Sequence, residues 1–285
     1  MNIQLGTFIS TLALIILLCI GTSCGKGNKP DVPNNQDKPA TSSPLEKRDL
    51  EQAPAKYYTY KIINKYKHDS KSYTQGLIFQ DGYFLESAGL RGKSSLRKVE
   101  LVTGKILKKV DVNPDYFAEG IALFNKKIYQ LTWISGKCIV YDAETFAELE
   151  QFNYDGEGWG LTNDSKLLIM SDGTNSISYR NPNDFKIDHT IYVFDGSKPV
   201  YFLNELEYIN GEIWANVYQT EKIARIDPET GRVKAWIDCS GIKYYLKSSL
   251  LSDVLNGIAY NPINKKYYIT GKNWDTLFEI ELTEK

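Results

Sequence analysis

From about residue 57 the chain is written in short alternating runs. Lys127-Ile128-Tyr129-Gln130-Leu131, Lys166-Leu167-Leu168-Ile169-Met170, Glu212-Ile213-Trp214-Ala215-Asn216 and Lys266-Tyr267-Tyr268-Ile269-Thr270 each follow a polar turn: Asn125-Lys126, Asn163-Asp164, Asn210-Gly211 and Asn264-Lys265. Apolar and polar positions trading places after a turn predict hairpin strands. A second strand type ends in an acidic turn, as in Val140-Tyr141-Asp142-Ala143-Glu144-Thr145 and Ile226-Asp227-Pro228-Glu229-Thr230-Gly231. Asp and Gly supply the turn conformations there. Helical periodicity is nearly absent, and one short helix is predicted around Tyr244 to Leu251.

A third element opens each unit: Gln75-Gly76-Leu77, Glu119-Gly120-Ile121, Trp159-Gly160-Leu161, Asn204-Glu205-Leu206 and Asn256-Gly257-Ile258. The middle residues are spaced by 44, 40, 45 and 52 positions. Five units with a period of about 45 and about four strands each predict an all-β, five-bladed β-propeller. An irregular β-sandwich would not produce five matched openers. The fifth unit lacks its last strand, and Tyr57-Tyr58-Thr59-Tyr60-Lys61-Ile62-Ile63 precedes the first. That segment is expected to close the ring and cover the open edge.

The start of the chain reads differently. Leu12 to Ile20 is an unbroken apolar run, too short for a membrane span and suited to a signal-peptide core. Gly21-Thr22-Ser23-Cys24 after it resembles a bacterial lipoprotein cleavage site, with Cys24 the lipidated residue. The n-region has no Lys or Arg, and the plainer alternative is an ordinary secretory signal. From Gly25 to Lys56 the chain holds Pro30, Pro33, Pro39, Pro44 and Pro54, half of its 10 prolines. Such a segment cannot build a core and is expected to be a tether. The expected organisation is therefore a signal over 1–23, a tether over 24–56 and a propeller over 57–285. The destination is the periplasm or the outer membrane of a bacterium, with the membrane touched only through the lipid. Cys138 and Cys239 are left in the folded part, as a disulfide or as two buried thiols.

Composition removes several function classes. Lys plus Arg is 34 and Asp plus Glu is 35, giving a net charge of −1 and no electrostatic footprint for nucleic acid. Hydrophobic residues make up 42%, enough for a folded core, and global disorder is excluded. The 2 histidines, His68 and His189, fit neither a zinc motif nor a Ser-His-Asp triad. No metal ligand set is predicted, though the channel leaves room for a structural Ca2+. Nothing points to an oligomer, so a monomer is expected.

The repeat slots carry chemistry. The residues just before the opener centres, with Asn204 preceding Glu205 in the fourth, are Gln75, Glu119, Trp159, Asn204 and Asn256. Along the second strands a further ring is expected from Ser87, Trp133, Asp172, Tyr218 and Lys272. Aromatic walls with a few aimed polar groups describe a small-molecule pocket. The plainer alternative is a channel whose polar residues only bind water, but Trp133 and Trp159 would then be wasted.

These residues sit in an ordered set of motifs. Among them are Tyr73-Thr74-Gln75-Gly76-Leu77, Phe117-Ala118-Glu119-Gly120, Leu131-Thr132-Trp133, Glu157-Gly158-Trp159-Gly160-Leu161, Leu203-Asn204-Glu205-Leu206, Leu255-Asn256-Gly257 and Thr270-Gly271-Lys272. From about Tyr57 to Leu282 the chain resembles the plant and bacterial type of glutamine cyclotransferase. That resemblance implies a five-bladed propeller that converts the N-terminal Gln of peptides to pyroglutamate and releases ammonia, with no cofactor required. It also implies that Glu119 is the proton shuttle and that Lys272 and Asn204 share in catalysis. Gln75, Tyr73, Phe117, Trp133, Trp159, Tyr218 and Asn256 would then bind substrate. Tyr218 stands where relatives often have Trp, and Tyr73 where Phe is commoner.

The chemistry can be stated independently. The α-amine attacks the side-chain carbonyl of its own residue, so holding glutamine folded lowers the barrier. One carboxyl can take the amine proton and hand it to the leaving nitrogen, and burial of Glu119 would suit it to donate. Lys272, Gln75 or Asn204 could stabilise the oxyanion. Two other readings stay open: a tethered propeller that binds peptides or glycans without catalysis, and a metal-dependent lactonase-type hydrolase.

Overall fold

The computed structural model describes residues 53–248 and 250–285. The expected signal, Cys24 and most of the expected tether lie outside the described residues. The described part is all-β. It begins with a long strand, β1 (Lys56–Lys67).

Four-stranded antiparallel units follow. The first is β2 (Thr74–Gln80), β3 (Tyr83–Ala88), β4 (Ser95–Glu100) and β5 (Ile106–Asp111). The second is β6 (Ala118–Phe124), β7 (Lys127–Thr132), β8 (Lys137–Asp142) and β9 (Glu148–Asn153). The third is β10 (Leu161–Asn163), β11 (Leu168–Ser171), β12 (Ser176–Arg180) and β13 (Ile187–Tyr192). A small hairpin, β14 (Phe194–Asp195) and β15 (Lys198–Pro199), leads to the fourth: β16 (Leu203–Ile209), β17 (Glu212–Val217), β18 (Lys222–Ile226) and β19 (Val233–Asp238). The last is β20 (Leu255–Asn261), β21 (Lys266–Gly271) and β22 (Thr276–Glu284), and β1 supplies its outer strand, antiparallel to β22 from Tyr58↔Glu284 to Lys67↔Thr276. Beyond that, β1 also pairs parallel with β19 over Lys56–Thr59, joining the last two units into one eight-stranded sheet.

The burial pattern follows from position in each unit. Second strands such as β7 and β17 are buried on both faces, and each carries charge only at its first residue. Outer strands such as β5 and β9 are more exposed: Lys108, Val110, Glu150 and Phe152 are half-buried, and their neighbours, Leu107 and Leu149 among them, face solvent. The core is divided into five clusters, each shared by neighbouring units. Leu85 and Leu96 meet Ile128 and Ile139; Tyr129 and Val140 meet Leu168 and Met170; Ile169 and Ile177 meet Ile213 and Ala224. Trp214 and Ile223 meet Ile258 and Phe278, and Ala259 and Tyr268 meet Leu77 and Phe84, so the last unit packs on the first. Cys138 and Cys239 are free thiols buried in two different clusters.

The openers are where inner strands come close. A Cβ on Gly120 would lie 2.7 Å from the Trp159 carbonyl oxygen, and one on Gly76 would lie 2.7 Å from the Ile121 nitrogen. Only glycine fits there. Four openers also carry a register shift: between Thr74 and Gly76, Ala118 and Ile121, Leu203 and Leu206, and Leu255 and Ile258. A β-bulge turns a side chain out of the pleat's alternation. Gln75, Glu119, Asn204 and Asn256 all sit within these shifts.

The helix expected around Tyr244–Leu251 is a single 3-10 turn over Ile242–Tyr245. It starts from Gly241 at φ 85 with no side-chain cap, and Leu246 is already extended. An uncapped turn of that length has little to propagate it.

Candidate active site

Glu119, 5% exposed, accepts a hydrogen bond on Oε1 from Gln75 Nε2 at 3.0 Å. Gln75 Oε1 in turn accepts from Asn256 Nδ2 at 3.2 Å, and Asn256 is itself held to the Thr74 carbonyl at 2.9 Å. The chain Asn256→Gln75→Glu119 fixes which end of the Gln75 amide faces the carboxyl. Burial pushes the Glu119 carboxyl well above the usual carboxylate range; Lys272 pulls it back and Glu157 pushes it further. The carboxyl therefore holds its proton where an exposed glutamate would not.

Around it runs a wall of five aromatic rings. Tyr73 meets Phe117 edge-on at 6.0 Å, and Phe117 meets Trp133 edge-on at 5.9 Å. Trp133 and Trp159 share an acceptor: Glu157 Oε2 takes the Trp133 indole N–H at 2.6 Å and the Trp159 indole N–H at 2.8 Å. Trp159 meets Tyr218 edge-on at 5.6 Å. Lys272 closes the circuit, its Nζ 4.9 Å from the centres of both the Tyr218 and Tyr73 rings. Lys272 is 4% exposed, and burial lowers the proton affinity of its amine, with Glu119 and Asp253 opposing the shift. Tyr73 is anchored from outside by its hydroxyl, which donates to Asp253 Oδ2 at 3.0 Å.

Local sequence explains how the walls fit. Gly173, at φ 81, leaves room for Trp159; a Cβ there would lie 2.6 Å from its ring. Gly120 N donates to the Trp159 carbonyl at 2.7 Å, tying the Glu119 bulge to the next wall.

All ten residues expected at the site are described. Glu119, Gln75 and Asn256 form one buried chain, and Tyr73, Phe117, Trp133, Trp159, Tyr218 and Lys272 form the wall. Asn204 is buried on the equivalent bulge of the fourth unit, and its Oδ1 has no protein donor. The second expected ring is only partly assembled. Ser87 is buried and accepts from Gln130 Nε2 at 2.8 Å, while Asp172 is spent on its own turn, accepting from the Thr174 N–H at 2.9 Å and from Ser176 Oγ at 3.1 Å. Short turn residues satisfy their own backbone first.

Sequence reasoning missed three acidic residues. Glu157 lies two positions before the Trp159 slot, and Asp253 lies in an irregular loop; neither falls in a repeat register. Glu205 replaces the opener glycine of the fourth unit. Its two oxygens accept backbone N–H groups of Leu77 at 3.1 Å and Ile258 at 2.9 Å, so it bolts together the inner strands of three units. That geometry bears on the structural Ca2+ for which the sequence left room. A cation needs several free oxygens; both oxygens of Glu205 already face donors, and no group of three His, Cys, Asp or Glu side chains gathers among the described residues. Among the described residues these side chains assemble no carboxylate cage for an ion.

The sequence profile of the glutamine cyclotransferase family matches residues 38–282. The chain belongs to the glutamine cyclotransferase family. Among relatives of this family it is 40% identical over 229 residues to the glutaminyl-peptide cyclotransferase of Arabidopsis thaliana, covering 78% of this chain and 71% of the plant protein. The crystal structure of Myxococcus xanthus glutaminyl cyclase is 33% identical and superposes with a TM-score of 0.76, over 81% of this chain and 99% of that one. The aromatic wall is thus seated in a fold of the same kind as that enzyme's.

Proposed function

We propose that the chain converts the N-terminal glutamine of peptides and proteins to pyroglutamate and releases ammonia. The observation that carries this is the buried Glu119 carboxyl, aimed by Gln75 inside a closed wall of aromatic rings. The wall holds the short side chain folded, so that amine and carbonyl lie within reach and water is kept out. The bond from the α-nitrogen to Cδ forms, and the carbonyl oxygen takes up negative charge. Lys272 or an amide N–H2 of Gln75 lies on hand to stabilise it. As the oxyanion collapses back to a carbonyl, the bond from Cδ to the side-chain nitrogen breaks; Glu119 gives its proton to that nitrogen, which leaves as ammonia, and takes one from the ring nitrogen, so the enzyme ends as it began. The unpartnered Oδ1 of Asn204 accepts an N–H of the substrate amide. Every step is supplied by side chains, and no cofactor is assigned one.

The same reading extends to the fold. The five units are the blades of one propeller, and β1 closes the ring by completing the last blade. Pairing of β1 with β22 and packing of the last unit on the first both support it. The domain runs over 57–285 as a monomer, behind a signal (1–23) and a tether (24–56). Lipidation of Cys24 would hold it in the periplasm or at the outer membrane; mass spectrometry of the mature N-terminus tests that.

The deciding assay is ammonia release from a short peptide with N-terminal Gln by residues 56–285, with a strong chelator present. Release that survives chelation is the expected result. Saturable peptide binding without ammonia would return the non-catalytic module, and loss on chelation would return the metal-dependent hydrolase.

A further inference from the structure

Two charged side chains complete the aromatic wall. Lys272 spans the gap between Tyr218 and Tyr73, and Glu157 spans the gap between Trp133 and Trp159. We propose that Glu157 is a positioning residue that locks both tryptophan walls of the pocket onto a single carboxylate oxygen.

An indole nitrogen only donates, and a carboxylate only accepts, so the pairing has one sense. Bonds to an ionised acceptor are about twice as strong as neutral ones. The other holds on the two indoles are weaker: Trp133 meets Phe117 edge-on, and Trp159 meets Tyr218 edge-on. Trp133 is 37% exposed, so packing alone leaves its ring free to turn. The carboxylate is delivered by a loop with little freedom. Gly158 N donates to the Trp133 carbonyl at 2.9 Å, Trp159 N to the Ser171 carbonyl at 3.0 Å, and Trp133 N to the Phe117 carbonyl at 2.9 Å. Gly158 is bare where a Cβ would press on the Tyr154 hydroxyl, so the loop can lie flat there. The backbone thus sets both indoles and the acid between them in one frame.

The lock has an electrostatic consequence. The charged and titratable groups facing Glu119 are Lys272, Glu157, Tyr73 and Tyr154. Lys272 draws the proton off Glu119, and Glu157 helps keep it there. Neutralising Glu157 should release the Glu119 proton at lower pH.

The activity part of this inference rests on the cyclotransferase reading, so the test carries one readout that does not. Purified wild type, Glu157→Gln and Glu157→Ala are compared by ammonia release across pH and by acrylamide quenching of tryptophan emission, with near-ultraviolet dichroism as a check of folding. In Glu157→Ala, kcat/KM is expected to fall about ten- to hundred-fold and quenching to rise as the indoles come loose. Glu157→Gln keeps an acceptor oxygen for the indoles, so it should recover most of kcat/KM and the wild-type quenching. Both variants should move the alkaline limb of kcat/KM to lower pH. Wild-type quenching and kcat/KM in Glu157→Ala would overturn the lock, as would equal loss in both variants with the limb unmoved. If wild type released no ammonia, the activity reading would fail, while quenching would still decide the lock.

Discussion

Glu119→Gln is expected to abolish turnover and, at neutral pH, to stabilise the protein. The two effects come from the same burial. Gln has the shape of a protonated Glu and can still accept from Gln75 Nε2, which lies 3.0 Å away. It cannot carry a proton between nitrogens, so ammonia release should fall by about 10²–10⁴-fold, the usual worth of general acid–base help. Stability depends on where the proton sits. In the unfolded chain Glu119 ionises near its ordinary value of about 4.3; in the fold, burial holds the proton to higher pH. Below the unfolded value both states are protonated and pH does not matter. Above it the unfolded state gains by ionising and the folded state does not, so stability falls by about 1.36 kcal/mol per pH unit until the folded group also ionises. The amide of the variant never titrates and escapes this loss. A single pH unit of separation gives about 1.4 kcal/mol, or about 3–6 °C in Tm for a domain of this size. Thermal melts of both proteins at pH 4 and pH 7 read the difference directly, and the equally buried Glu205 cancels because both carry it. A Tm difference that is the same at both pH values, or that moves against the variant at pH 7, would refute the buried-proton argument. Normal ammonia release by the variant would refute the role of Glu119.

Other expectations follow from the same geometry. Both ring nitrogens of buried His68 face acceptors, the Trp274 carbonyl at 2.7 Å and Glu86 Oε1 at 3.0 Å, so the ring is an imidazolium. Burial works against that charge, but Glu86 more than offsets it and raises the His68 pKa. Burial likewise works against the Glu86 carboxylate, but His68 and Arg97 overcome it and hold Glu86 at about 2. The His68 contribution to stability is therefore present below about pH 6.5 and lost as pH rises through the raised value; the Glu86 share is lost only as pH falls toward about 2. His68→Ala should cost about 3–5 kcal/mol in urea denaturation, because buried Glu86 loses its hydrogen-bonded cation and keeps, of its cations, only the field of Arg97. Tyr218→Phe should leave kcat/KM within about two-fold, since the wall uses its ring; Tyr218→Ala should lose about ten-fold with the Lys272 and Trp159 contacts. Burial raises both thiols, Cys138 and Cys239. A thiol reagent should label them only after denaturation, and reductant should leave Tm unchanged. Removing residues 1–67 deletes β1 and bares β22, and the remaining chain should show no cooperative melt; an unchanged melt would refute ring closure.

How much of this could be read from the chain depended on whether a residue's task follows the repeat. The five openers are legible because the same backbone problem recurs: inner strands approach so closely that four of the five carry glycine. Gln75, Glu119, Asn204 and Asn256 share a slot, and so they read as one set from spacing alone. What the slot does was hidden. Each of these side chains is re-aimed by a bulge, and a bulge is decided by pairing with the next strand, which no single segment records. The second ring failed in part for a related reason. Equal distance along a strand does not guarantee equal direction, and Asp172 had a nearer use in its own turn. Glu205 shows the reverse case. It breaks the glycine pattern, and the break reads as a loss of packing, but the carboxylate replaces close approach with two bonds to neighbouring strands. Glu157 and Asp253 were out of reach because the rings they hold, Trp133 and Tyr73 among them, come from other segments. A repeat announces the residues that recur at the openers; the acids that hold those residues still are set by contacts between units, and only the folded arrangement brings them together.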